Sequence, residues 1–154
     1  MRIRIASEAY RRKLQNDFIL AEDQEGEIQS QLAKFLCIRI GGYIEVFIKE
    51  RIQRFVDNRK SHQIISAYIN NAIKDITNLN NNKIQIILAS FSNEWAEYFN
   101  NNVTNEMKSS LGSIYNVRNN IAHGGNDSLS LIEIKRHFAN IELALEIIDK
   151  AISK

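Results

Sequence analysis

Apolar residues recur at three- and four-residue steps along nearly the whole chain, which is the period of an α-helix with one buried face. Ile3, Ala6, Tyr10, Leu14, Phe18 and Ala21 predict a first amphipathic helix that ends near residues 25–26. A second, longer helix is expected from about Glu27 to Asp57. Its middle is apolar nearly all round, which places it centrally in a bundle. Gly41 and Gly42 interrupt it. Each glycine costs roughly 1 kcal/mol against alanine in a helix, so a pair marks close packing or a bend. Ser61 reads as the N-cap of a third helix through Ile64, Ile65, Tyr68, Ala72, Ile73 and Ile76. The polar run 78–83 is a predicted loop. A fourth helix carries Ile84, Ile87, Leu88, Phe91, Trp95 and Phe99 on one face, and the Asn run 100–102 is expected to break it. Thr104 caps a fifth helix with Met107, Leu111, Ile114 and Ile121, closed by Gly124 and Gly125. Ser130 and Glu133 form a capping box for the last helix, whose stripe is Leu131, Ile134, Phe138, Ile141, Leu145, Ile148 and Ile152.

The alternating spacing suits near-antiparallel helix packing. No strand alternation, repeat or linker stands out. The expected fold is therefore all-α, a single up-and-down bundle of five or six helices, with residues 1–154 as one domain.

The chain has 154 residues, 44% hydrophobic and 25% charged, a balance that excludes wholesale disorder. Its single cysteine, Cys37, excludes an intramolecular disulfide and a cysteine-based zinc site. The acidic residues show no clustered pattern that would hold a metal, and no cofactor is expected. The net charge of +2 does not by itself demand nucleic acid. The charged N-terminus has no apolar core for a signal peptide. The most apolar stretch, around residues 35–48, is too short and too charged to span a bilayer, so a cytoplasmic protein without membrane contact is expected.

One position breaks the pattern. The fifth stripe steps 107, 111, 114, 118, 121, yet residue 118 is arginine. A charge in a core register is costly unless it is paired. Two readings stand: a snorkelling arginine at a helix end, or a face that lines an anion-binding cleft or an interface. His123 follows at the end of the same helix. It lies about 140° round from Arg118, whereas Asn119 and His123 form an i, i+4 pair, so the asparagine could orient the imidazole. Histidine suits proton transfer near neutral pH, and a guanidinium suits phosphate through forked hydrogen bonds. Together they point toward metal-independent phosphodiester chemistry.

The wider segment VRNNIAHGG, residues 117–125, closely resembles the Arg-x4-His signature of the HEPN superfamily of helical bundles, in its RiboL-PSP-HEPN and MAE-type branches. GGYIEVFIKE, residues 41–50, resembles the aromatic-and-acid pattern of an earlier helix in those branches. The resemblance implies a catalytic pair, Arg118 and His123, with Asn119 and Asn120 orienting them or touching substrate. It implies a homodimer with two motifs facing across a shared cleft. It implies endonucleolytic cleavage of RNA by the ribose 2′-OH, leaving a 2′,3′-cyclic phosphate and a 5′-OH. It further implies a toxin or antiphage defence effector, with an antitoxin or other defence protein as partner. The different implication is a non-catalytic subunit that binds RNA, nucleotides or another protein. Some relatives carry a Tyr two residues after the His, which a partner modifies; Gly125 stands there, so that regulation is not implied.

Glu45, in the apolar middle of the second helix, has two readings: a cleft residue pairing with Arg118 or His123, or an exposed acid on a polar strip. Lys135, Arg136 and His137 form a basic cluster that either holds RNA phosphates or is a solvated face. Arg11, Arg12, Lys13, Arg51, Arg54, Arg59 and Lys60 are read as surface charge. His62 reads as a loop histidine, Cys37 as a small buried hydrophobe, and Trp95 and Phe99 as core, with base stacking unforced.

Overall fold

The computed structural model describes residues 6–125 and 129–154. Ile3, the first residue of the predicted stripe, lies outside the described residues. Among the described residues seven helices follow one another: α1 (Ala6–Glu22), α2 (Gly26–Asn58), α3 (Gln63–Lys74), α4 (Asn81–Phe91), α5 (Asn93–Asn102), α6 (Asn105–Ala122) and α7 (Leu131–Ile152). Among the described residues there is no strand, as expected for an all-α bundle.

The helix count exceeds the expected five or six because the fourth predicted helix is two. Ser92 adopts φ −159° and ψ 127°, which ends α4 and starts α5. The Asn run 100–102 does not break the helix; it forms the last turn of α5, and the extended Val103 ends it. Likewise Asn81 and Asn82 belong to the first turn of α4, capped by the Asn80 side chain accepting from the Lys83 N–H at 2.9 Å. The third helix is capped by His62 rather than Ser61, with Nδ1 accepting from the Ile64 N–H at 3.3 Å. The predicted caps at Thr104 and Ser130 are both present, the latter as a full capping box.

The 33-residue α2 is the spine: α1, α3, α6 and α7 all pack against it, and α6 and α7 pack on each other. Leu36, Ile40, Ile44, Ile48 and Ile52 of α2 are fully buried against Leu111 and Ile114 of α6 and the predicted stripe of α7, every member of which is buried. The helix is unbroken at Gly41 and Gly42, and both glycines serve close packing. A Cβ at Gly42 would overlap the Tyr10 hydroxyl.

The third helix forms where its spacing places it, yet its apolar residues are mostly not core: Ile64, Ile65 and Tyr68 are 73%, 54% and 75% exposed, and of the stripe only Ile73 is buried. Periodicity reports that a helix is two-sided, not that something covers its apolar side. No helix among the described residues is long and apolar enough to cross a membrane.

Candidate functional site

Arg118 occupies the core register of α6 and points at α2, where Gly41 leaves room for it. A Cβ at Gly41 would stand 2.9 Å from Arg118 Cδ and 3.0 Å from its Nη1. One turn further along the same face of α2, Glu45 accepts from Arg118 Nη1 at 2.5 Å. The two side chains are 25% and 15% exposed, so the pair is largely withdrawn from water. This resolves both open positions of the sequence. Arg118 is not snorkelling, and Glu45 is not a solvated acid; each compensates the other, as a charge in a core register requires.

The same carboxylate oxygen, Glu45 Oε1, also accepts from the backbone N–H of Asn78 at 2.6 Å. Asn78 lies in the connection between α3 and α4 with φ +51°, the left-handed region that Asn tolerates better than other side chains. Its Nδ2 donates to Asn119 Oδ1. Its carbonyl accepts from Lys83 Nζ at 3.1 Å, and that ammonium lies 5.3 Å from the centre of the Tyr115 ring. The polar composition of residues 78–83 predicts no more than a loop here. The available signal was an asparagine between two helix caps, a residue suited to a left-handed joint.

Tyr10 of α1 closes the other side. Burial pushes its hydroxyl above the usual range, Arg39 opposes that, and the charges of Glu45 and Arg118 act on it with opposite signs.

His123 caps the C-terminus of α6, its N–H bonding to the Asn119 carbonyl at 3.0 Å. The chain then turns through Gly124 at φ +78°, a conformation that favours glycine. The Gly125 N–H returns to the Asn120 carbonyl at 2.7 Å, and a Cβ at 125 would stand 3.0 Å from that oxygen. The imidazole is exposed and makes no hydrogen bond among the described residues. The side-chain link between Asn119 and His123 is not made among the described residues; Asn119 Oδ1 accepts from Asn78 instead, and Asn119 and His123 are joined through the backbone. Asn120 is half-buried beside them. The structure thus gathers Arg118, Glu45, Asn78 and Asn119 into one network and sets His123 one turn away, open to solvent.

The remaining candidates fall outside this network. Lys135 and Arg136 are exposed, and Lys135 pairs with Glu22. His137 is not part of a solvated basic face: it is buried, with Nδ1 2.9 Å from Ser110 Oγ, which also accepts from Asn140 Nδ2 at 3.0 Å. Arg11 pairs with Glu142, Arg12 with Glu8, and Arg51 with Glu50 and Asp149. Trp95 and Phe99 are buried and have no free face for a base. Cys37 is buried, and burial pushes its thiol up to about 12. Among the described residues no group of three or more His, Cys, Asp or Glu side chains is placed to hold a metal ion.

No curated protein and no solved structure matches the chain. The family model RiboL-PSP-HEPN matches residues 7–154, a span that runs from the start of α1 through the end of α7 and includes the whole Arg118 network and His123. The bundle, the glycine-lined seat for Arg118 and the motif at the end of α6 therefore come together in a chain that belongs to the RiboL-PSP-HEPN family.

Proposed function

We propose that the chain is a metal-independent endoribonuclease that works as a homodimer, with Arg118 and His123 as the catalytic pair and Asn119 and Asn120 at the substrate. The observation that carries this reading is the held arginine. A guanidinium has five N–H donors, and Glu45 engages Nη1, so the group is oriented while donors remain for a phosphate. The exposed His123 stands one turn beyond it at the end of the same helix.

In the proposed reaction the ribose 2′-oxygen forms a bond to the adjacent phosphorus and gives up its proton. The bond from phosphorus to the 5′-oxygen breaks, and that oxygen leaves with a proton as a hydroxyl. The products are a 2′,3′-cyclic phosphate and a 5′-OH, with no water consumed. His123 moves the protons, and Arg118 stabilises the charge that develops on the phosphorane. By the family resemblance the reading extends to a toxin or antiphage effector in the cytoplasm, restrained or triggered by a second protein.

The test is cleavage of varied RNAs by purified protein in EDTA, beside His123→Ala and Arg118→Ala, with the fragment ends mapped. Cyclic phosphate ends that disappear in both variants are expected. Cleavage that survives in both variants would overturn the assignment. A folded dimer that binds RNA and leaves every RNA intact would favour the non-catalytic subunit.

A further inference from the structure

Asn78 stands where the two halves of the site meet. Its backbone N–H holds the carboxylate that orients Arg118, and its side-chain amide holds Asn119, the residue between Arg118 and the turn that carries His123. Its carbonyl is fixed in turn by Lys83, whose ammonium lies over Tyr115. Tyr115, Asn119 and His123 follow at four-residue steps on α6, so the connection between α3 and α4 is fastened along the face of α6 that leads to the histidine. With its backbone in the left-handed region at φ +51°, this one residue offers its N–H to α2 and its amide to α6.

We propose that Asn78 is a positioning residue of the active site, acting on Arg118 through Glu45 and on the His123 turn through Asn119. It touches neither substrate nor reacting atoms. The inference rests on the ribonuclease reading for its kinetic consequence, though not for its geometry.

The two contributions separate by substitution. Asn78→Gly keeps the left-handed backbone and the N–H to Glu45 but removes the amide to Asn119. Asn78→Ala removes the amide and also strains the backbone. A neutral hydrogen bond is worth about 3- to 10-fold, so Asn78→Gly is expected to lower kcat by about that factor with KM unchanged. Asn78→Ala is expected to lose more, and glycine to restore part of the alanine defect. If Asn78 works through Asn119, adding Asn78→Gly to Asn119→Ala should cost no further activity beyond that of Asn119→Ala alone. Full kcat in Asn78→Gly, or losses that simply multiply in the double variant, would overturn the proposal. Nuclear magnetic resonance keeps the test independent of cleavage. In Asn78→Gly the side-chain amide signal of Asn119 and the imidazole signals of His123 should both shift, while the core of α7 stays in place. Unmoved signals at both residues would overturn the positioning role even in a protein that cuts no RNA; shifted signals in such a protein would uphold the geometry and refute only the ribonuclease reading.

Discussion

Gly41→Ala separates the stability of the bundle from the placement of Arg118. Alanine is favoured over glycine inside a helix by about 1 kcal/mol, so the substitution alone should stabilise α2. The added Cβ, however, would sit 2.9 Å from Arg118 Cδ and 3.0 Å from Nη1. Carbon contacts relax near 3.5–4.0 Å, so the arginine must retreat by roughly 0.7 Å or change rotamer. The retreat weakens a charge-assisted hydrogen bond worth about 1.5–3 kcal/mol. The net change in stability is then between about zero and 2 kcal/mol of loss. At about 2–4 °C per kcal/mol for a chain of this size, the melting temperature falls by no more than about 8 °C. A misplacement approaching 1 Å at a catalytic group costs on the order of 100-fold in rate. Thermal melting paired with RNA cleavage measures both. The expected outcome is a folded protein with cleavage reduced about 10- to 100-fold. A variant that melts as expected and cleaves within twofold of wild type would refute the claim that Gly41 seats a functional arginine.

Two further outcomes are expected. Gly124→Ala forces a side chain into φ +78° and should cost about 1–2 kcal/mol in urea denaturation; no loss would mean that the turn after His123 relaxes freely. His137 gives a pH dependence. Burial holds its imidazole below the usual range, Arg136 lowers it further and Glu133 opposes. The unfolded chain therefore takes up this proton first, so stability falls as the pH drops below about 6.5, until the native imidazole also protonates. Above about 6.5 the group contributes no slope. The difference between the denaturation midpoints of wild type and His137→Gln should stay constant above about 6.5 and move against wild type as the pH falls below it.

Most of the fold was legible because burial imposes period on sequence. The seven-residue stripe of α7 is buried throughout, and its capping box forms as read. The break at Ser92 was hidden because residues 88, 91, 95 and 99 keep their helical spacing across it; one extended residue reorients the axis without disturbing the pattern. The Asn run 100–102 misled because an asparagine weakens a helix only slightly, and the end was set by Val103 and the Thr104 cap instead. At the site, Arg118 announced itself as a charge in a core register, and its partner was among the candidates. What spacing alone could not supply was the choice for Glu45, which depends on Gly41 facing Arg118 across two helices. Asn78 was invisible for a different reason: its role comes from a backbone angle and from contacts 33 and 41 residues away.

The sparse attachment of α3 has a consequence for how the molecule breathes. This helix rests chiefly on α2 and turns Ile64, Ile65 and Tyr68 outward, so little free energy opposes its detachment. Its amides should exchange with deuterium through local opening, whereas those of residues 40–48 in α2 should exchange only when the whole bundle unfolds. Asn78 follows the end of α3 by four residues. An excursion of α3 that carried the following connection with it would release the peptide that holds Glu45, and the lifetime of the ordered site should then track the protection of α3 rather than that of the core.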